Sequence, residues 1–247
     1  MKKISIVGVI PARYASTRFP AKALVDIGGK AMVQRVYEQA SKSTLLSHVV
    51  VATDHQEIED KVRSFGGNVC MTRKDISSGT DRCFEALTLL EEDFDYVINI
   101  QGDEPFINPE QIDSLAALLD GETQIATLTR KIDDEDELFD PNVVKVVFNK
   151  SNHALYFSRS TIPYLRGKSK DNWLGSANFY KHIGIYGYRA DILAKFSSLQ
   201  TSQLESTESL EQLRWLDNGY QIKVAETEHQ SYGVDTPEDL EKLKSFY

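Results

Sequence analysis

Ile4-Ser5-Ile6-Val7-Gly8-Val9-Ile10 runs without a break into Pro11-Ala12-Arg13-Tyr14-Ala15-Ser16-Thr17-Arg18-Phe19-Pro20-Ala21-Lys22. The first seven residues read as a buried strand, short, apolar and rich in β-branched side chains. The loop that follows is basic. Lys2, Lys3, Arg13, Arg18 and Lys22 all precede Asp26, the first acidic residue. The whole chain is acidic, with 28 Lys and Arg against 37 Asp and Glu and a net charge of −9. A concentrated positive loop on an acidic protein suits a small anionic ligand, such as a nucleoside triphosphate, held at the carboxyl end of a first strand.

Length and composition narrow the classes. A chain of 247 residues makes one large domain, or one domain with a substantial insertion. Its 41% hydrophobic residues supply a core and argue against disorder. The negative charge excludes general binding to nucleic acid or to an anionic membrane surface. Cys70 and Cys83, with no Cys-x-x-Cys and no clustered histidines, read as reduced, packed thiols. No apolar run approaches the ~20 residues of a membrane span, and Ile4–Ile10 is too short for a signal peptide. The expectation is a soluble cytoplasmic protein.

Strands and helices alternate outward from the first strand. Residues 31–41 place Met32, Val33, Val36, Tyr37 and Ala40 on one helical face. His48–Ala52 is a strand ending at Thr53-Asp54, and Ile58, Val62 and Phe65 mark a second helix stopped by Gly66-Gly67. Cys83, Phe84, Ala86, Leu87 and Leu90 form a third helical stripe. Tyr96–Ile100 is a strand leading to Gln101-Gly102-Asp103-Glu104-Pro105; Pro109–Leu119 is helical and Gln124–Leu128 a strand. This rhythm predicts a mostly parallel central sheet flanked by helices on both faces. The second half differs. Asp133–Glu137 reads as a solvated loop or short helix, and Val143–Phe148, His153–Ser158 and His182–Arg189 as antiparallel additions to the sheet plus a small lobe. Residues 166–178, rich in Lys, Ser, Gly and Asn, predict a mobile loop. Leu210, Leu213 and Leu216 mark a helix, and Gln221–Ala225 a last strand. Thr236-Pro237-Glu238-Asp239 opens the closing helix with a cap, a proline at its first position and two acids in its first turn.

The familiar phosphate-binding signatures are missing. Gly28-Gly29-Lys30 lacks the P-loop spacing, and no Gly-x-Gly-x-x-Gly follows a strand. What remains is Arg13, Arg18 and Lys22; arginine forks suit phosphate oxygens and lysine adds a point charge. Asp103, at a strand end beside that loop, is of the kind that holds Mg²⁺ bridging polyphosphate oxygens, and Asp235 could supply a second carboxylate or be a turn residue. Arg159 and His182 are polar residues in apolar strands, and a lone histidine at a strand start is more often a hydrogen-bonded structural residue than a ligand. Glu211-Gln212 could be the wet face of its helix. Ser78-Gly79-Thr80-Asp81-Arg82 reads as a helix N-terminus with Thr80 as cap, which would also offer backbone N–H groups to a ligand.

Taken together, nine segments in order resemble the 3-deoxy-manno-octulosonate (Kdo) cytidylyltransferases over essentially the whole chain. They are Ile10–Pro20, Val51–Asp54, Met71–Arg73, Ser78–Arg82, Gln101–Pro105, Ala154–Arg159, His182–Arg189, Leu210–Arg214 and Gly233–Leu240. The resemblance implies a nucleotide-diphospho-sugar transferase-like α/β fold, a single domain over 1–247 with an inserted antiparallel lobe at about 143–189 for sugar binding and dimerisation. It implies CTP and Kdo as substrates, CMP-Kdo and pyrophosphate as products, Mg²⁺ as cofactor, and a role in lipopolysaccharide biosynthesis. Carried over residue by residue, Ala12, Arg13, Arg18 and Lys22 would meet the CTP phosphates, and Thr53, Met71, Arg73, Ser78, Gly79 and Thr80 would line the cytidine pocket. Lys22, Asp103 and Asp235 would be catalytic, the two aspartates ligating the metal. Gln101, Arg159, His182, Glu211 and Gln212 would contact the sugar acid. Family members look like homodimers.

Two positions qualify the resemblance. Ala21 stands where the family usually has glycine, so the loop is strained there if the backbone needs a positive φ. Glu104 stands where relatives acting on the 8-amino sugar more often carry glutamine, which favours Kdo itself. A binding protein without catalysis is the reading from another class, and retention of both Asp103 and Asp235 speaks against it.

Overall fold

Both faces of the first strand are covered, and its alternation shows why. The computed structural model describes residues 4–15 and 19–246. In it β1 (Ile6–Ala12) sends Ile6 and Ile10 into one apolar cluster and Val7 and Val9 into another. The period-2 pleat of a strand does this when helices lie on both sides. Gly28 and Gly29, with φ of 58° and 82°, join β2 (Asp26–Ile27) to β3 (Lys30–Ala31) in a small hairpin. That turn needs φ > 0 at both central residues, which explains a glycine pair that is not a P-loop.

The expected alternation then follows: α1 (Met32–Ala40), β4 (His48–Thr53), α2 (Gln56–Ser64), β5 (Val69–Met71), α3 (Gly79–Leu89), β6 (Tyr96–Asn99), α4 (Pro109–Ala116) and β7 (Ile125–Lys131). Gly66, at φ 78°, follows the end of α2. Asn108 caps α4 through a capping box with Gln111, and Pro109 fills its first turn. β1 pairs in parallel with β4 and β6, and β4 with β5. Helices α1, α2 and α4 bury Val33, Val36, Ile58, Val62, Ile112 and Leu115 on one face of the sheet. On the other face α3 buries Cys83 and Ala86.

The second half supplies α5 (Glu135–Phe139), β8 (Lys145–Phe148), β9 (Ala154–Ser158), β10 (Tyr180–Arg189), α6 (Ala190–Phe196), α7 (Gln203–Glu208), α8 (Gln212–Asp217), β11 (Ile222–Glu226) and α9 (Pro237–Lys242). The strand order is β11-β7-β10-β6-β1-β4-β5, with the β8–β9 hairpin joined to β10. The expectation of antiparallel additions needs correction for β10. It runs antiparallel between β6 and β7, inside the sheet, and so welds the two parallel halves together. Its register shifts between Ile183 and Tyr186, a bulge of the kind that re-aims side chains beside sites.

The loop over 166–178 is also not the free segment its composition predicts. Trp173, 3% exposed, stacks on Phe179 with ring centroids 5.9 Å apart and packs with Phe139, Ile132 and Leu138. The buried ring, packed in a small aromatic cluster, anchors a segment whose other residues are mostly polar. Among the described residues, no helix is long and apolar enough to cross a membrane.

Candidate active site

The carboxyl ends of β1, β4 and β6 and the N-terminus of α3 meet at one edge of the sheet, where parallel α/β folds place their ligands. A cleft of about 390 Å³ opens there, walled by Pro11, Ala12, Arg13 and Lys22 from the basic loop, Gly79 from α3, Gln101 and Asp103 after β6, and Asp235 before α9. Arg18 lies outside the described residues.

Lys22 is the centre of this cleft. Its Nζ donates to Asp103 Oδ2 at 2.7 Å, to the Val234 carbonyl at 2.8 Å and to Asp235 Oδ1 at 3.3 Å. Three residues expected to be catalytic, spread from position 22 to 235, therefore share one charge cluster. The Val234 N–H donates to the Asp103 carbonyl at 2.9 Å, which clasps the two aspartate-bearing segments together. The Asp239 carboxylate takes the N–H groups of Asp235 and Thr236, fixing the start of α9. Oxygen donors converging on a cation are the donor chemistry of a hard divalent metal. Among the described residues no group of three or more His, Cys, Asp or Glu forms a metal site. Two carboxylates fit Mg²⁺, which completes its shell with waters and substrate phosphates.

Two backbone positions control how closely the walls approach. A Cβ on Gly102 would stand 2.5 Å from the Pro11 carbonyl oxygen. Gly102→Ala is expected to push the Asp103 segment off the end of β1. The kcat/KM should fall about tenfold or more, since misplacing a reacting group by 1 Å can cost ~10²; steady-state kinetics with a matched melting curve check it. Ala21 has φ 54° and ψ 27°, and its N–H donates to the Tyr14 carbonyl at 3.1 Å, closing the basic loop. The glycine-type position thus does hold a left-handed alanine. Its strain is ~1–2 kcal/mol, against the ~0.5–1 kcal/mol by which glycine's chain entropy disfavours folding. Ala21→Gly is therefore expected to raise the thermal midpoint by ~1–4 °C in a scanning melt.

The residues expected around cytidine separate into supports and rim. Thr53 is fully buried and its carbonyl accepts from the Thr72 N–H at 2.7 Å, so it ties β4 to the next loop. Met71 is 40% exposed, and neither it nor Thr53 lines the hollows described here. Arg73 rims a shallow hollow along α3, with Nε 3.2 Å from Glu85 Oε2. Arg13 reaches across to donate to the Ser77 carbonyl at 2.7 Å. The cap of α3 is Ser78, not Thr80: Ser78 Oγ accepts from the Asp81 N–H at 2.9 Å. Thr80 lies two residues inside, 3% exposed, and donates to Glu211 Oε2 at 2.8 Å.

A second, smaller hollow of about 170 Å³ adjoins the cleft, and Gly79 and Gln101 line both. Gln101 Nε2 donates to the Gly184 carbonyl at 2.7 Å, inside the β10 bulge. Glu211 and Gln212 line the hollow, and Gln212 is 6% exposed, so they are not a wet face. Burial raises the Glu211 carboxyl above the usual range, against the Thr80 bond that lowers it. The sequence reading missed Asn99, Tyr186, Tyr188 and Trp215, which complete the lining. Among the described residues Asn99 Oδ1, Tyr186 OH and Trp215 Nε1 are buried without a hydrogen-bond partner, and Tyr188 OH lies beside Thr80. Such groups are costly unless something polar meets them. A strand period of 2 for Tyr186 and Tyr188 and a helical period for Glu211, Gln212 and Trp215 were the available signals.

His182 and Arg159 stand further out. The His182 ring lies between Phe157 and Tyr186, and burial pushes its pKa down to about 3, so it is neutral. The Thr127 hydroxyl gives its one proton to the Ile185 carbonyl at 2.7 Å and accepts from His182 Nε2 at 3.0 Å. That leaves Nδ1 as an acceptor. The Arg159 guanidinium donates to the carbonyls of Glu208, Pro141 and Ser209 and is not among the residues lining the small hollow.

The cytidylyltransferase family model matches residues 7–227. The chain is 55% identical to the 3-deoxy-manno-octulosonate cytidylyltransferase of Parabacteroides distasonis over 98% of each protein. It is 55% identical to that of Cytophaga hutchinsonii over 96% of this chain and 95% of the relative. Its fold superimposes on a CMP:2-keto-3-deoxy-manno-octonic acid synthetase complexed with CTP with a TM-score of 0.91, at 44% identity and 98% coverage of both chains. A 4-diphosphocytidyl-2C-methyl-D-erythritol synthase from Anaerococcus prevotii, 15% identical with a TM-score of 0.65, shares the fold alone. With its basic strand-end loop, paired aspartates and adjoining polar hollow, the chain belongs to the cytidylyltransferase family, among the 3-deoxy-manno-octulosonate cytidylyltransferases.

Proposed function

We propose that the protein transfers CMP from CTP to the 2-hydroxyl of Kdo, giving CMP-Kdo and pyrophosphate for lipopolysaccharide assembly in the cytoplasm. The observation that carries this reading is the convergence of Asp103 and Asp235 on one cation, 2.7 and 3.3 Å from Lys22 Nζ, in the wall of a basic cleft that shares Gly79 and Gln101 with the polar hollow. The 2-hydroxyl oxygen bonds to the α-phosphorus in line as the bond to pyrophosphate breaks, and the hydroxyl proton is released to solvent or taken up by the departing pyrophosphate. The chain contributes position and charge to that step. Lys22 and Arg13 offset the triphosphate charge, while Ser78, Gly79 and Thr80 present the first turn of α3 to the nucleotide. Asp103 and Asp235 would hold Mg²⁺, which supplies Lewis-acid stabilisation of the phosphate oxygens when bound.

The small hollow takes the sugar acid. Glu211, Gln212, Gln101 and Asn99 offer acceptors and donors to its hydroxyls, and the unpartnered Tyr186 and Trp215 groups gain partners on binding. The neutral His182 offers its Nδ1 lone pair to a hydroxyl. Among the described residues no carboxylate forms an ion pair with the Arg159 guanidinium, so its charge remains available to the sugar carboxylate. The assay is pyrophosphate release from CTP, Kdo and Mg²⁺; release with the 8-amino sugar and none with Kdo would overturn the choice of substrate. The working unit is a homodimer joined through the region 143–189, where edge strand β9 carries Leu155 at 60% exposure. Sedimentation giving a monomer at assay concentration would refute that.

A further inference from the structure

Arg82 lies within a segment already singled out, yet nothing above gives it a task. Its side chain is completely buried behind the cleft it helps to wall. Nη2 stands 3.2 Å from Asp54 Oδ2 and 3.1 Å from the Ile76 carbonyl, and Nη1 donates to Thr72 Oγ1. Asp54, 8% exposed, uses its other oxygen to accept the Tyr14 N–H at 3.2 Å. Tyr14 in turn stacks on His55 with centroids 3.7 Å apart, and its carbonyl takes the Ala21 N–H. One ion pair therefore joins the basic loop, the end of β4, the 72–76 loop and α3.

Stability alone is a poor reason for this arrangement. Two desolvated charges are held no better than well-packed apolar groups would be, and among the described residues the buried Arg82 Nε–H finds no hydrogen-bond partner. The repulsion of Arg13 and the burial itself both work against the charged guanidinium, with Asp54 opposing them. What an apolar pair could not do is tie the backbone of the basic loop to that of the 72–76 loop through a planar fork and a two-oxygen acceptor.

We propose that Arg82 and Asp54 are positioning residues for the nucleotide. The pair holds the basic loop at a fixed offset from the 72–76 loop, so that the phosphate end and the base end of CTP meet contacts already in place. Preorganisation of this kind acts on binding of the bridging ligand, because the cost of ordering the loops is met during folding. The inference rests on the reading of the cleft as a CTP site.

The test uses Asp54→Asn, Arg82→Lys and the charge-free double variant Asp54→Leu/Arg82→Met. CTP binding is measured by calorimetry, KM for CTP and for Kdo and kcat by pyrophosphate release, and stability by thermal midpoint. In Asp54→Asn the KM for CTP should rise about tenfold, with kcat and the KM for Kdo changed less than about threefold. Arg82→Lys should behave like Asp54→Asn, since a single ammonium cannot reproduce the fork. The double variant should melt near the wild-type midpoint while still binding CTP about tenfold more weakly. Wild-type CTP affinity in the double variant, restoration by Arg82→Lys, or a loss of kcat and both KM values in step with the midpoint would each overturn the proposal. Failure of the wild-type protein itself to bind CTP would instead remove the CTP reading on which it rests.

Discussion

Asp103→Asn and Asp235→Asn are each expected to lower kcat for pyrophosphate release by about 10²–10³, the scale seen when one preorganised charge-stabilising group is removed. Each carboxylate stands within 3.3 Å of the same ammonium, so either change halves the negative charge available to a divalent cation there. The fold should survive. The carboxylate side chains are 33% and 52% exposed, and pairs that open to water contribute only ~0–1 kcal/mol. For a chain of this size that is a fall of no more than ~4 °C in thermal midpoint. Near-normal turnover in either variant would remove the paired aspartates from the chemistry and leave a nucleotide-binding protein.

Lys22→Met is expected to lower kcat/KM for CTP by about 10²–10³, through both kcat and KM, because its ammonium touches both aspartates in the wall of the cleft. The variant also removes the ammonium that stands 2.7 Å from Asp103 and 3.3 Å from Asp235, so the two carboxylates repel each other more strongly. A stability penalty that Mg²⁺ partly reverses follows from that repulsion, and a melt with and without the metal separates it from loss of activity. If Lys22→Met keeps wild-type kcat/KM, the ammonium is only a structural tie between the two aspartate segments.

Much of this was legible before any coordinates. The pleat of Ile6–Ile10, the helical stripes of 32–40 and 56–64, and the Thr236-Pro237 start of α9 are local patterns, and local patterns survive in isolation. The basic loop and the two aspartates were readable as chemistry, and the nine ordered segments pointed to the family. Other features were beyond reach. Nothing in Tyr180–Arg189 says that it runs antiparallel between β6 and β7, because that depends on partners about 50 to 90 residues away. The polar composition of 166–178 hides the one ring, Trp173, that anchors it, and local sequence does not separate Ser78 from Thr80 as the cap of α3.

The amino-acid sequence by itself determined the strand-and-helix order, the family, and which residue types carry charge at the strand ends. The tertiary structure alone decided that Lys22 meets Asp235 across 213 positions of chain and Asp103 with it, that Ala21 sits in a left-handed turn, and that Arg82 grips the 72–76 loop directly and the basic loop through Asp54. The physical reason is range. Periodicity and capping act over one turn or one pleat, whereas strand register and side-chain convergence exist only once the sheet has brought distant segments to the same edge.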